Sequence, residues 1–379
     1  MDLDKFEDIR PYIDTEVSPA LGRIANNPLL ADISSYLFPG KGENYFKDIL
    51  LSCETIDDFQ NKVMAVVVRK ILADTAKTLT YAGIDNFKDG KKHLILSNHR
   101  DIVLDSAIIQ LILHNHGIQT SEIAVGDNLI TSPFIEDIAR TNKMIKVVRS
   151  TSPREVYTTS QVLSQYIRYN VATEKSSIWI AQRNGRTKDG NDVTEQGLLK
   201  MLDMSGEGDF VKDFQELSIL PVSISYEYEP CDLLKTVELF ISRRKKYIKS
   251  KNEDLNSILT GIMQFKGNIH IEFNEPITLQ DIKEAAKLDK NERFKALASC
   301  IDHKINKTYK LWKNNYIAYD LLNQTEEYAN LYSPADKQSF IGYMQFKLQA
   351  TEGDSKEMED IFLSIYANPL VNKKIAEKQ

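Results

Sequence analysis

Between residues 93 and 273 the chain carries six short apolar runs of strand length: HLILSN (93–98), EIAVGD (122–127), MIKVVRS (144–150), SSIWIAQR (176–183), ILPVSISYEY (219–228) and GNIHIEF (267–273). Nearly continuous runs of this kind fit strands buried on both faces rather than strands with one wet side. Between most of them lie amphipathic helical stretches, for example 105–114, 154–169 and 196–202. The alternation predicts an α/β fold with a largely parallel central sheet covered by helices on both faces. Parallel neighbours need a crossover, and the intervening helices supply it.

The flanks read differently. From 58 to 80 the apolar residues Phe59, Val63, Val66, Val67, Ile71, Leu72 and Ala76 recur at helical spacing, and the earlier segments are short and broken by Pro11, Pro19 and Pro28. The first 81 residues are therefore expected to be a helical region. Beyond Pro276 the strand-like runs stop, and helical patterns follow at 279–288, 291–315, 317–331, 336–348 and 356–366. The expected division is 1–81, an N-terminal helical region; 82–280, the α/β domain; and 281–379, an all-α C-terminal appendage.

Charge and cysteine content remove several classes of function. With 48 Lys and Arg against 54 Asp and Glu the net charge is −6, which gives a general nucleic-acid role no electrostatic support. The three cysteines, Cys53, Cys231 and Cys300, are far apart, without the close pairs of a zinc site or disulfide framework. No metal and no redox cofactor is expected. The longest charge-free run, 106–121, is short of the roughly 20 apolar residues a spanning helix needs. The acidic start MDLDKFEDIR lacks the features of a secretory signal, so the expectation is a cytoplasmic protein.

One histidine stands where chemistry would gather. In LILSNHRDIVLDSAIIQLIL, His99 falls in the turn between a buried strand and an apolar helix, at the carboxyl end of the sheet. Asp101 reads as the N-cap of that helix, and Asp105 lies one turn on, with a side chain that can lean back towards His99. A carboxylate there would hold one tautomer and stabilise the imidazolium, making His99 a general base for a hydroxyl group. A His beside an Asp in a turn also serves purely structural ends. Ser97 and Ser106 lie nearby, but neither sits in a Gly-x-Ser-x-Gly elbow.

A second cluster follows two of the predicted strands: Lys146, Arg149, Arg183, Arg186 and Lys188, with Gly185 and Gly190 able to let the backbone approach a ligand. Guanidinium forks match phosphate oxygens. The competing reading pairs these cations with Asp189, Asp192 and Glu195 at solvated strand ends. Together, a histidine base and a phosphate cradle point to acyl or phosphoryl transfer involving a phosphorylated alcohol. The run RRKKYIKSK at 243–251 is either an exposed helix face or a surface for anionic lipid head groups.

Four ordered blocks resemble those of the glycerolipid acyltransferases, the glycerol-3-phosphate acyltransferase branch above all. Asn98, His99 and Arg100 with Asp105 resemble the His-x-x-x-x-Asp motif. Gly126, Asp127, Asn128 and Leu129, followed by Val147, Val148, Arg149 and Ser150, are similar to the glycerol-phosphate block. Asn184, Gly185, Arg186 and Thr187 resemble the Glu-Gly-Thr-Arg-Ser block, and LPVSISYE (220–227) is similar to the Pro-Val strand. GNIHIEFNEPITL also looks like the family's Gly-x-Ile-x-Val-x-Phe-Gly-Glu-Pro-Ile segment, with Asn274 in place of Gly. The likeness runs from about residue 82 to 280.

The resemblance implies attack by a substrate hydroxyl on an acyl thioester, carried by CoA or acyl carrier protein, without a covalent acyl-enzyme. It implies His99 as base and Asp105 as its partner. It also implies an acceptor site, drawn from Arg100, Lys146, Arg149, Asn184, Gly185, Arg186 and Lys188, that takes glycerol 3-phosphate or its monoacylated product in phospholipid synthesis. No bound cofactor is implied. A peripheral position at the inner membrane surface is expected, through amphipathic helices among the first 50 residues and through 243–251. Here the spacing from His99 to Asp105 is one residue longer than in the family, so either Asp105 or Asp101 is the partner, and Asn184 stands where the family has Glu. Two other readings stay open: a same-fold enzyme that acylates another lysolipid or an acylated amino acid, and a catalytically weakened lipid-binding scaffold.

Overall fold

The computed structural model describes residues 4–42, 44–150, 152–349 and 351–378. Seven strands form one sheet: β1 (Ala76–Ala82), β2 (Leu94–Ser97), β3 (Glu122–Gly126), β4 (Met144–Val147), β5 (Ile178–Ala181), β6 (Ile219–Tyr226) and β7 (Gly267–Phe273), in the order β1-β7-β6-β2-β5-β3-β4. Every neighbouring pair is parallel except β6 with β7. All six expected runs are strands, which leaves one strand to explain.

That strand is β1, which corrects the reading of the region before residue 82 as helical throughout. The helix Ala65–Thr75 runs directly into β1. The segment AKTLTYA sits at the sheet edge with most of its side chains exposed, so it lacks the buried apolar run that marked the others. Its pairing with β7, Ala82 opposite Glu272, gives it strand form where periodicity did not.

The sheet's two faces are packed by different helices because alternate residues point to opposite sides. Leu94, Leu96, Ile178 and Ile180 share a core with Leu163 and Ile167 of the helix Pro153–Ala172 and Leu199 of the helix Gln196–Asp203. Ile95 and Trp179 turn the other way, against Ile108, Ile109 and Ile112 of the helix Leu104–Asn115. Each fully buried Leu or Ile contributes roughly 1.5–3 kcal/mol by leaving water. The chain leaves β2 for one face and leaves β4 and β5 for the other, so a crevice opens beyond the carboxyl ends of β2, β3 and β5.

The terminal helices are joined to this core by packing and by hydrogen bonds. Leu297, Ile301 and Ile305 of the helix Glu292–Thr308 fill the same core as β2 and β6. The helices Lys313–Asn323, Pro334–Leu348 and Ser355–Ala376 form a further cluster around Phe340, Phe362 and Tyr366. The expected helix over 291–315 is interrupted, ending at Thr308 and resuming at Lys313. No helix among the described residues is long and apolar enough to cross a membrane.

Candidate active site

Asn98 and His99 follow β2 directly, and the helix behind them begins at Leu104. Asp101 Oδ1 accepts hydrogen bonds from the backbone N–H of Val103 (2.9 Å) and Leu104 (2.8 Å), so Asp101 is committed to starting the helix. Asp105, in the first turn, leans back over the loop. Its Oδ2 lies 2.8 Å from His99 Nδ1 and accepts from the backbone N–H of Arg100 (2.6 Å) and Asp101 (2.9 Å). Tyr226 Oη, at the end of β6, donates to the other oxygen at 2.8 Å. The extra residue between His99 and Asp105 is taken up by the turn at Ile102 and Val103.

With Nδ1 bound to a carboxylate, the neutral ring keeps its acceptor lone pair on Nε2. The ring is 12% exposed, packs edge-on to Trp179 at 5.7 Å and lines a cavity of about 540 Å³. The cavity walls are mainly aliphatic, Ile102, Val125, Ile138, Met144 and Leu198 among them, and Arg149, Arg183 and Asn184 border the same space. Asp101 has its second oxygen buried without a partner, and burial, followed by the nearby Asp105, pushes its carboxyl upward.

The expected binding residues divide into three groups. Arg149, Asn184 and Gly185 line the cavity that holds His99. Arg186 and Lys188 line a neighbouring cavity of about 560 Å³ between the helices Asp232–Ser242 and Glu253–Met263. The two spaces are close: the backbone N–H of Thr187 donates to the His99 carbonyl at 2.8 Å, and the helix Glu253–Met263 gives Ile258 to the first and Ser257 to the second. Lys146 and Arg100 line neither. Lys146 lies 3.8 Å from Glu136.

Arg100 corrects an expectation most directly. It is fully buried, paired with Asp192 and with Glu229 (3.2 Å), and lies over the Tyr309 ring at 5.4 Å. Lys235, also fully buried, donates to the Arg100 carbonyl (2.8 Å) and to Glu229 (2.6 Å). Two cations and two carboxylates thus form a closed quartet behind the His99 loop, and none of them is left to grip a substrate. Gly190 is similarly not an approach point for a ligand. Its φ is +81°, and a Cβ there would stand 2.4 Å from the carbonyl oxygen of Ile365.

The acids proposed as partners for the cations are occupied elsewhere. Asp192 takes Arg100, Asn98 (3.1 Å) and Thr187 (2.8 Å), Asp189 caps the turn at Asn191 (3.0 Å), and Glu195 accepts from the Asn184 backbone at 3.2 Å. Arg186 is 8% exposed, makes no ion pair among the described residues, and has its Nη1 buried without a hydrogen-bond partner, with the Cys231 thiol beside the guanidinium. Lys188 pairs with Glu238, and burial lowers its pKa.

Sequence reasoning missed Tyr226, Trp179, Glu229 and Lys235. Tyr226 and Trp179 lie on strands flanking β2, a signal visible only once strand order is known. Lys235 had a faint mark of its own, a lysine inside the apolar segment LLKTVELF. No group of three or more His, Cys, Asp or Glu side chains among the described residues could hold a metal ion.

Residues 78–225 match the acyltransferase family model. The matched segment includes His99, Asp105 and every cation from Lys146 to Lys188, and it supports an acyltransferase enzyme in general terms. Among solved structures, the chain is similar to the 1-acyl-sn-glycerophosphate (LPA) acyltransferase PlsC from Thermotoga maritima. The identity is 11%, over 78% of this chain and 96% of that one, with a TM-score of 0.41. No curated protein matches the chain significantly.

Proposed function

We propose that this protein moves a fatty acyl group from an acyl thioester to a hydroxyl of glycerol 3-phosphate or 1-acylglycerol 3-phosphate, with His99 as general base. The observation that carries the reading is a single cavity in which an imidazole oriented by Asp105 meets an aliphatic volume of about 540 Å³. Apolar walls receive the acyl chain, and His99 Nε2 faces the thioester end.

The chemistry follows from that placement. The acceptor hydroxyl gives its proton to His99 Nε2 as its oxygen bonds to the thioester carbonyl carbon. Asp105 stabilises the imidazolium that forms. The tetrahedral adduct then collapses, the C–S bond breaks, and the proton passes from His99 to the departing sulfur, leaving an ester and a free thiol. Arg186 and Lys188 hold the acceptor phosphate in the second cavity, and Arg149 reaches the same acceptor from the first. A buried guanidinium with no carboxylate bonded to it and with Nη1 unpartnered has donor capacity left for an anion, which supports this role for Arg186.

The test is incubation of the purified protein with acyl-CoA and acyl carrier protein donors and a panel of phosphorylated glycerols and lysolipids, with products read by mass. An ester of a phosphorylated glycerol is expected. Absence of ester with every pair, or turnover retained by His99→Ala, overturns the reading.

A weakened, lipid-binding role is the second reading, favoured by Asn184, which leaves an exposed amide at the cavity rim. Asn184→Glu separates the two. A gain in turnover marks an attenuated enzyme, and silence in both forms marks a scaffold.

A further inference from the structure

The helix Glu253–Met263 is apolar on its outer face as well as on its inner one. Its small residues Ser257 and Gly261 are buried, Gly261 so tightly that a Cβ would stand 2.1 Å from Asp101 Oδ2. Ile258 and Ile262 turn inward as well, but three other large apolar residues point outward. Leu255, Leu259 and Met263, spaced four apart on one stripe, are 57%, 49% and 69% exposed. Ile248 on one side of this ridge and Phe265 on the other are exposed as well.

The segment that leads into the ridge is basic. Arg243 and Arg244 are held by Glu357, and Lys249 by Asp254 at 2.8 Å. Lys245, Lys246 and Lys251 are exposed and have no ion pair among the described residues. Aliphatic side chains flanked by unpaired lysines form the pattern of an element that lies in the plane of an anionic membrane surface. A second copy of this chain would bring like charges together across a twofold axis, and an acidic protein would satisfy the lysines but leave the aliphatic ridge wet.

We propose that the ridge of the helix Glu253–Met263, with Lys245, Lys246 and Lys251, seats the protein on an anionic lipid bilayer. The proposal builds on the reading of the site as one for lipid-derived acceptors. The same helix lines the His99 cavity through Ile258 and holds the Asp101 loop through Gly261, so the bilayer contact and the candidate base share one element. A monoacylated acceptor can then pass along this helix without its chain entering bulk water.

The test uses the full chain with two vesicle compositions, pure phosphatidylcholine and phosphatidylcholine containing phosphatidylglycerol, read by co-sedimentation. Binding only to the anionic vesicles, weakened by salt, is expected. The triple variant K245E/K246E/K251E should lower affinity on the order of a hundredfold. The triple variant L255S/L259S/M263S should lower it by at least about tenfold. Both variants should keep the parent's melting temperature, its oligomeric state and its turnover on soluble short-chain substrates. No binding to anionic vesicles, or binding that neither variant weakens, overturns the proposal. So does loss of an oligomer in the ridge variant, which assigns the surface to a second copy. Loss of turnover with an acyl carrier protein donor at unchanged vesicle binding assigns it to an acidic protein instead. Vesicle binding without any acyl transfer would leave the docking surface standing and remove the enzymatic reading.

Discussion

Tyr226 Oη sits 2.8 Å from Asp105 Oδ1, while the other oxygen of the same carboxylate lies 2.8 Å from His99 Nδ1. The imidazole is therefore aimed by a carboxylate that is itself held from a different strand. Tyr226→Phe should lower kcat by roughly ten- to hundredfold, the size of one hydrogen bond to a charged group, with little change in KM. Asp105→Asn loses the partner that selects the tautomer and should cost on the order of 10³–10⁴-fold in kcat. Steady-state kinetics on both variants checks the ranking.

Arg186 and Arg149 border different cavities, which predicts different kinetic signatures. Arg186→Ala should raise KM for a phosphorylated acceptor roughly ten- to hundredfold and leave KM for the acyl donor nearly unchanged. An acceptor lacking phosphate should respond little to the same substitution. Equal effects on both acceptors would place Arg186 outside the acceptor site.

The buried quartet of Arg100, Lys235, Asp192 and Glu229 makes a prediction about stability. Lys235→Met removes the contacts to the Arg100 carbonyl and to Glu229 and leaves the quartet with an excess of buried negative charge. Denaturant unfolding should show a loss of about 3–5 kcal/mol.

Glu122, at the start of β3, sets a pH dependence. Burial pushes its carboxyl from 4.5 up to about 7, and Tyr166 donates to it at 2.8 Å. The folded chain keeps a proton that the unfolded chain releases between these values. Stability therefore falls as pH rises from about 4.5 to about 7, by at most ~3 kcal/mol. Glu122→Gln should flatten that slope, as followed by thermal melts across the window.

The strand pattern was readable because a parallel sheet buries both faces and leaves continuous apolar runs. An exposed edge such as Ala76–Ala82 carries no such mark. His99, Asp101 and Asp105 lie within one turn and a loop of each other, so their mutual reach follows from helix geometry alone. Arg100 was assigned to substrate for want of its partners, Asp192 and Glu229, which lie about ninety and one hundred and thirty positions further along. The separation of Arg186 from Arg149 was equally hidden. It involves the helix Glu253–Met263, far downstream in the sequence, which lines both cavities.

Tyr309 and the helix Ser355–Ala376 come after the last strand, yet they secure the loops behind His99. Tyr309 lies against Arg100, Tyr366 accepts from the Glu229 backbone at 3.0 Å, and Asn368 donates to the Asp189 carbonyl at 2.7 Å. A chain cut after the last strand would lack these clamps, so the loops behind His99 draw their anchorage from residues some two hundred positions or more downstream. Truncation before Ser355 would accordingly loosen the surroundings of His99 and Asp105 while leaving both residues in the chain.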